Sequence, residues 1–506
     1  MSFKYNITMN IPNWVSDAIF YQIFPDRFAK SDRVSKQGLN LEPWDTPPTI
    51  YGFKGGDLRG VTEHLEYIED LGANAIYFTP VFASASNHRY HTYDYYNVDP
   101  LLGGNDALRE LLDKAHKKNI RVVLDGVFNH ASRGFWQFHQ TLENGAASPY
   151  VDWFHFDPDR LQGKKHWGAY PSPQEQEAIQ REGSYKAIGY QGWWNLPALP
   201  KFNTQTPAVR EFIFNVAEYW IKFGIDGWRL DVPGEIDDDS FWQEFRRRVK
   251  SINPDAYIVG EIWDDARRWL QGDQFDASMN YLVAAACLSF FTGKHLDLNE
   301  TLKSGGYQGH VGHIDANEFA NRIDSILGMY APEGTHVQLN LLDSHDTPRF
   351  LTCAGRDLNS LKLALTFIFT YPGAPCLFYG DEIGLYGRHD PECRQPFPWG
   401  ESKWNHDLRD FIKGLIALRK AHPVLRGDGS FKKLYAADGI YVFQRSLESE
   451  TLFIALNASE AAHKVEVKAD TSSLGKKQIL FGQADVETDK ETIRLNLPAR
   501  SGVVVK

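Results

Sequence analysis

Residues 207–231 read PAVREFIFNVAEYWIKFGIDGWRLD. Apolar side chains recur in the first part at intervals of four, three and four residues, at Val209, Ile213, Val216 and Trp220. This spacing places them on one face of an amphipathic helix. The apolar run Gly227–Leu230 that follows is typical of a buried strand. A helix joined by a short loop to such a strand is the repeating unit of a parallel sheet with helices outside it.

The same unit recurs along most of the chain. The other apolar runs that predict strands are Ile19–Phe24, Ala75–Phe78, Arg121–Leu124, Tyr257–Gly260, Phe275–Asn280, Gln338–Leu342 and Cys376–Tyr379. Helical patterns separate them, as at Val61, Leu65 and Ile68, which share one helix face. Eight strands over about 400 residues favour an α/β fold in which the sheet closes into a (β/α)8 TIM barrel.

The alternation is interrupted twice, and the interruptions define domains. About 100 residues separate Leu124 from Gly227, and residues 131–200 within this gap hold many Gly, Pro and aromatic residues. After a helix predicted near Trp404–Lys420, strand-like runs follow at Lys433–Arg445, Thr451–Asn457 and Gly502–Val505. We therefore predict a catalytic barrel over residues 1–130 and 201–423, an inserted subdomain over 131–200 and a C-terminal antiparallel β domain over 424–506.

Composition excludes several classes of function. Lys and Arg number 54 against 65 Asp and Glu, a net charge of −11, so a nucleic-acid partner is not expected. No run of 18 apolar residues is present, and the N-terminal MSFKYNITMNIPNW lacks the cationic and apolar regions of a secretion signal. The four cysteines form no CxxC pair and are interpreted as free thiols. These features predict a cytoplasmic protein without a membrane partner.

Acidic and histidine side chains follow the predicted strands where each one ends. The four segments are DGVFNH (125–130), GWRLDV (227–232), VGEIW (259–263) and LLDSHD (341–346). A single acid at a strand end is more often a helix cap or an ion-pair partner. Four such ends meet at one mouth of a barrel, however, and paired carboxylates beside an Arg suit glycoside hydrolysis.

These four segments resemble the signature regions of the alpha-amylase family of glycoside hydrolases. GANAIYFTPVF (72–82), LPKFN (199–203) and GAPCLFYGDEIGL (373–385) resemble its auxiliary regions in the same order. Within the family, YQIFPDRF (21–28), SNHRY (86–90) and SHDTPRF (344–350) are similar to the neopullulanase, cyclomaltodextrinase and maltogenic amylase group. The resemblance covers about residues 14–420 and implies a retaining α-glucan hydrolase with some transglycosylation.

The resemblance also implies roles for individual residues. Asp231 matches the nucleophile, Glu261 the general acid/base and Asp346 the third acid, while Arg229 is expected to keep Asp231 ionised. The expected substrate-binding residues besides Arg229 are His88, Tyr90, His130, His345, Asp390 and Arg394. His91 and Tyr93 offer a rival register for the His88 and Tyr90 pair.

Three differences from the group affect these expectations. Only about 13 residues precede the region of resemblance, where group members carry an N-terminal β domain used in dimerisation, so we expect a monomer or an atypical homodimer. The loop after the nucleophile reads Val232-Pro233-Gly234-Glu235, which leaves bond preference open. The loop after the first strand places Lys30 and Lys36 where the group's calcium ligands would be, so we expect no metal and no cofactor.

Two other functions remain as alternatives. One is an α-1,6-preferring debranching enzyme or an α-glucosidase. The other is a non-catalytic barrel associated with a transporter, a class that loses its catalytic acids and has a membrane anchor. All three acids are present here, which argues against the second. Cyclodextrins, maltooligosaccharides, pullulan and starch stay open as substrates.

Overall fold

A computed structural model describes residues 11–162, 168–469, 478–489 and 491–506. Residues 1–10, on which the expectation of no secretion signal partly rests, lie outside this range, as do parts of the predicted inserted subdomain and C-terminal domain. None of the described helices combines the length and the apolar character that a membrane span requires.

Ten strands precede residue 380 in the described chain. They are β1 (Phe20–Ile23), β2 (Ala75–Phe78), β3 (Phe82–Ser84), β4 (Thr92–Val98), β5 (Arg121–Gly126), β6 (Gly227–Leu230), β7 (Tyr257–Gly260), β8 (Ala277–Ser278), β9 (Leu339–Leu341) and β10 (Ala374–Phe378). Eight of them form one parallel sheet in the order β8-β7-β6-β5-β2-β1-β10-β9. A parallel bridge from Met279 to Leu339 joins its two edges. The predicted barrel is therefore confirmed, while β3 and β4 form a separate hairpin.

Helices separate the strands along the chain. They are α1 (Pro25–Phe28), α2 (Leu58–Glu63), α3 (Leu65–Leu71), α4 (Gly104–Lys117), α5 (Trp136–Asn144), α6 (Pro158–Leu161), α7 (Pro173–Glu182), α8 (Ser184–Ile188), α9 (Pro207–Phe223), α10 (Asp239–Ile252), α11 (Tyr281–Phe291), α12 (Leu298–Thr301), α13 (Ala316–Leu327), α14 (Pro332–Thr335), α15 (Phe350–Cys353), α16 (Leu358–Thr370) and α17 (His406–Ala421). α9 begins with Pro207, whose fixed φ suits a first helical turn, and ends at Gly224 in the left-handed region, as a helix C-terminus prefers.

The predicted helix faces are buried, although one helix is divided. Val209, Ile213, Val216 and Trp220 of α9 are all at most 1% exposed. Val61, Leu65 and Ile68 are buried as predicted, but the helix is interrupted at His64, which separates α2 from α3. The predicted strand Phe275–Asn280 shortens to the two residues of β8, because Asn280 already caps α11 by accepting the N–H of Val283.

The segment between β5 and α9 holds α5, α6, α7 and α8 around an aromatic cluster. Phe138 lies within 6 Å of the rings of Phe154, Phe156 and Tyr190. Bridges from His130 to Lys201 and from Phe154 to Phe202 tie its two ends together above the barrel. The segment therefore lies over the carboxyl ends of the barrel strands.

The chain after α17 forms two antiparallel sheets. Their strands are β11 (Ser430–Ala437), β12 (Ile440–Leu447), β13 (Glu450–Asn457), β14 (His463–Lys468), β15 (Ile479–Gly482), β16 (Asp485–Thr488), β17 (Thr492–Leu497) and β18 (Ser501–Val505). The orders are β11-β12-β13-β18-β15 and β14-β17-β16. In β12 the side chains alternate, so that Tyr441 and Phe443 join the barrel core and Ile440 and Val442 join a second core between the sheets.

One strand prediction in this region was wrong. Lys433–Arg445 is not a single strand, since the turn at Asp438 and Gly439 divides it between β11 and β12. Both turn residues have positive φ, 53° and 74°, as a tight two-residue hairpin requires.

Candidate active site

A cavity of about 660 Å³ lies at the carboxyl ends of the barrel strands. Asp231 follows β6 and Glu261 follows β7, and each is 7% exposed, while Asp346 lies on the loop after β9 and is half-buried. All three carboxyl groups line this cavity. The structure therefore brings the three predicted acids together at one mouth, as expected of strands that end at one edge.

A single guanidinium lies beneath the acids. Arg229 Nη1 donates to both oxygens of Asp125, at 3.0 and 2.9 Å, and to Asp231 Oδ1 at 3.2 Å. Its Nη2 lies 3.0 Å from Glu261 Oε2. The register of β5 on β6 pairs Asp125 directly with Arg229, which explains why one nitrogen of Arg229 contacts both carboxylate oxygens. Arg229 is fully buried, so these contacts are shielded from water.

Burial and mutual repulsion control the protonation of the acids. Burial raises the pKa of Asp231 well above its ordinary value, Arg229 lowers it, and the charge of Glu261 raises it further. Burial also raises the pKa of Glu261, again against the lowering by Arg229. One guanidinium thus faces three carboxyl groups, and for Asp231 the net shift of the pKa is upward. Burial and the repulsion between the two groups therefore favour one proton shared by Asp231 and Glu261.

Two further donors hold the Glu261 carboxyl group. The backbone N–H of Val232 donates to Oε2 at 3.0 Å, and Trp263 Nε1 donates to Oε1 at 3.1 Å. Val232 has φ 36° and ψ 50°, a left-handed conformation that is strained for a β-branched residue. Trp263 is fixed by parallel stacking on Tyr281, with ring centroids 3.6 Å apart. The carboxyl group of Glu261 is therefore held at both of its oxygens.

The third acid is tied to a histidine and an arginine. Asp346 Oδ2 lies 3.1 Å from His345 Nε2, and Asp346 Oδ1 lies 3.2 Å from Arg394 Nη2. Arg394 also pairs with Asp390 at 3.1 Å, and Asp390 and Arg394 both line the cavity. Burial lowers the pKa of His345 well below its ordinary value, so the imidazole is neutral.

His88 and Tyr90 of the SNHRY segment line the cavity. Arg89 between them has φ 61° and is buried, which leaves both neighbours on the cavity side. The Tyr90 ring stacks on His345 with an interplanar angle of 4°, and its hydroxyl donates to Asp125 Oδ2 at 2.9 Å. In the rival register, His91 also lines the cavity, but Tyr93 lines a separate groove of about 700 Å³.

Comparison with known proteins identifies this arrangement. Residues 22–415 match the model of the alpha amylase catalytic domain, and residues 429–505 match that of the alpha-amylase C-terminal domain. The chain belongs to the alpha-amylase family. It is therefore a glycoside hydrolase.

The chain is similar to several members of this family that have names. A cyclomaltodextrinase of Geobacillus thermopakistaniensis is 42% identical over 96% of this chain and 76% of its own. An intracellular maltogenic amylase of Bacillus subtilis is 36% identical over 91% of this chain and 72% of its own. The crystal structure of a debranching enzyme from Nostoc punctiforme is 46% identical, covers 99% of this chain and 100% of its own, and has a TM-score of 0.87.

Three of the residues that the family resemblance implied lie behind the cavity wall. Arg229 and His345 are fully buried and contact the acids from beneath. His130 is also fully buried, and its ring stacks on Trp193 at 5.0 Å with an interplanar angle of 5°. Trp193 lines the cavity and so separates His130 from it. Burial lowers the pKa of His130 to about 3, which keeps this ring neutral.

The sequence analysis did not single out several residues that shape this family member's site. Asp125 and Tyr77 form part of the network, since the Tyr77 hydroxyl donates to Asp125 Oδ2 at 3.0 Å. Trp263 belongs to the segment VGEIW, and its position two residues after Glu261 is the signal that could have indicated a contact between the two side chains. Trp193 and Trp194 in the inserted segment also line the cavity.

Two lysine ammonium groups occupy oxygen-lined positions in the loop after β1. Lys36 Nζ lies 3.1 Å from both Asp57 Oδ2 and the carbonyl oxygen of Leu101. Lys54 Nζ is surrounded more completely, by oxygens of Glu42, Pro43, Thr46 and Pro47 at 2.7 to 3.3 Å. In the described residues, the loop thus places ammonium groups where oxygen ligands converge.

The four cysteines are all buried as free thiols. Among the described residues, no three His, Cys, Asp or Glu side chains come together in an arrangement that would hold a metal ion.

Proposed function

We propose that this protein is a retaining hydrolase of α-1,4 glucosidic bonds in α-glucans, with Asp231 as nucleophile, Glu261 as general acid/base and Asp346 as the third catalytic acid. The observation that supports it best is the contact of Asp231 and Glu261 with one guanidinium, Arg229, at 3.2 and 3.0 Å. Two carboxyl groups that share one guanidinium suit double displacement, in which one attacks the sugar directly.

The proposed reaction has two steps. Asp231 attacks the anomeric carbon while Glu261 gives its proton to the glycosidic oxygen, and a covalent glucosyl-enzyme forms. Glu261 then takes a proton from water, which attacks the same carbon and releases a product with the original α configuration. A sugar hydroxyl in place of water gives transglycosylation. The first step needs one proton on the Asp231 and Glu261 pair, which agrees with the raised pKa values of both groups, and the second step begins with Glu261 as a carboxylate and restores that proton.

The remaining residues would bind and distort the reacting glucose ring. Asp346 would accept hydrogen bonds from sugar hydroxyls, and Arg394 and Asp390 form a charged clamp beside it. Tyr90, parallel to His345, offers a flat face for the ring, with His88 next to it. His345 acts through Asp346, and we place His130 as a support of the wall behind Trp193 rather than as a direct contact.

Substrate preference within the α-glucans rests on the relatives. The names cyclomaltodextrinase and maltogenic amylase favour cyclodextrins and maltooligosaccharides, and we propose these as substrates ahead of starch and pullulan. The alternative is a preference for α-1,6 bonds, which the Nostoc debranching enzyme supports. We further propose a cytoplasmic location, supported by the intracellular relative, and a monomer or an atypical homodimer that works without a cofactor.

Initial products on β-cyclodextrin, maltoheptaose, pullulan and soluble starch test the proposal directly. We expect cleavage of the first two to be fastest and proton NMR to show α anomers first. Asp231→Asn and Glu261→Gln should each lower kcat by at least about 100-fold, the smaller end of the effect of general acid–base catalysis. A β anomer as first product would contradict retention, and either variant at a tenth of the wild-type rate would contradict the assignment. Release of maltotriose from pullulan, by cleavage of its α-1,6 bonds, would favour the α-1,6 alternative.

A further inference from the structure

The cleft has an aromatic side chain at its rim to which neither step of the proposed reaction assigns a role. Trp194 lines the same cavity as Asp231 and Glu261, yet it is 75% exposed. It belongs to the inserted segment, where other aromatic side chains such as Phe138 and Phe154 pack against each other. Its exposed indole leaves apolar surface in water at the mouth of the cavity, and a ligand in the cavity could cover that surface.

The backbone at Trp194 is conformationally strained. Its φ and ψ are 51° and 26°, and Asn195 follows with φ 59°, so two consecutive residues adopt the left-handed region. Bulky side chains are rare there, and such strain is concentrated at functional sites. The turn is fixed by Leu196 N–H donating to Trp193 at 2.9 Å and by Ser184 N–H donating to Asn195 Oδ1 at 3.0 Å.

The indole is also supported from behind. Trp194 stacks on Trp193 with centroids 4.4 Å apart and an interplanar angle of 14°, and Trp193 stacks on the buried His130 ring. Three flat rings therefore form a column that begins beneath the cavity wall and ends at its rim. One face of Trp194 is covered by this column and its other face remains free.

We propose that the free face of Trp194 is a stacking platform for a glucosyl ring of the α-glucan beyond the glucose that is cleaved, so that longer chains bind more tightly. The C–H face of a glucose ring is flat and apolar, and an indole offers a rigid apolar surface at low conformational cost. This inference rests on the proposed function, because it assumes an α-glucan in the same cleft. It adds a contact, held by the inserted segment, that selects substrates by length.

Binding to an inactive protein tests the platform without relying on turnover. In a Glu261→Gln background, we would measure Kd for maltotriose and maltoheptaose by calorimetry, with and without Trp194→Ala. Covering one face of an indole should contribute about tenfold to affinity, so Trp194→Ala should reduce the maltoheptaose preference over maltotriose by about tenfold. Trp194→Phe, which keeps a flat ring, should retain most of the preference.

Trp136→Ala is the matched control, because Trp136 is 61% exposed on the same inserted segment but does not line the cavity. It should leave the preference unchanged. An unchanged preference in Trp194→Ala, or an equal loss for both sugars, would overturn the inference. Chain-length-dependent binding in a protein that hydrolyses no α-glucan would instead contradict the proposed function and leave the platform standing.

Discussion

Replacing Arg229 by Met should destabilise the protein strongly, and more so at high pH. The guanidinium contacts Asp125, Asp231 and Glu261, and all four side chains are at most 7% exposed, so water screens none of these contacts. Removing one partner of a buried ion pair costs about 3–5 kcal/mol. Unfolding entropy is about 2.1 cal/mol/K per residue, or about 0.8 kcal/mol/K for a barrel of about 400 residues. The expected fall in Tm is therefore about 4–6 °C at pH 8.

The pH dependence follows from the carboxyl groups that remain. Without Arg229 their pKa values rise further above the unfolded values, so the folded variant binds protons that the unfolded chain releases. Its stability is then lost as pH rises, and the deficit against wild type should shrink at pH 5. Calorimetry at one scan rate and at both pH values measures this.

Asp125→Asn in the Arg229→Met background provides the internal control. It removes one of the three uncompensated carboxylates and should recover part of the lost Tm at pH 8. A fall of less than about 1 °C at pH 8, or the same fall at both pH values, would refute the account of Arg229 as shared counter-ion.

Three other variants or treatments probe the same regions. Asp231→Asn should abolish turnover yet raise Tm by a few degrees, and by more at pH 8 than at pH 5. Burial raises the pKa of this carboxyl group, so its charged form destabilises the fold, and a lower Tm of the variant at pH 8 would contradict this. Trp263→Phe should move the alkaline limb of kcat/KM to higher pH, because the lost N–H donor no longer lowers the pKa of Glu261, and a shift to lower pH would reverse the assigned role. Dialysis against EDTA should leave activity and Tm unchanged; a loss of activity that millimolar Ca²⁺ restores would show a calcium site. Lys54→Met should lower Tm, because it leaves the carbonyl oxygens around the ammonium group unpaired.

Sequence patterns predicted the barrel and the gathering of the acids because both depend on local periodicity. An apolar run that ends in an acid places that acid at the mouth once the strands are parallel, as for Asp231 and Glu261. The sharing of Arg229 could not be predicted in the same way. It depends on the register of β5 on β6, which sets Asp125 opposite Arg229 and is determined by packing across strands.

The inserted segment shows where such patterns stop being informative. Its aromatic content predicted a packed subdomain, but nothing in the residues around Trp194 signals a left-handed turn, which Trp adopts only when its surroundings impose it. The break at His64 is likewise invisible to a pattern of buried residues, since Val61, Leu65 and Ile68 keep one face through it.

The Lys54 ammonium group has a consequence for the conditions under which the loop after β1 can remain folded. A bound ion stabilises a fold by an amount that depends on its concentration and vanishes on dilution. A charge attached to the polypeptide has no such dependence, because its local concentration is set by covalent bonds. The oxygens of Pro43, Thr46 and Pro47 therefore keep their cation in any medium, from ion-poor to chelating, up to the pH at which the amine loses its proton. Since burial lowers the pKa of Lys54, alkali rather than ion depletion is what would release this loop.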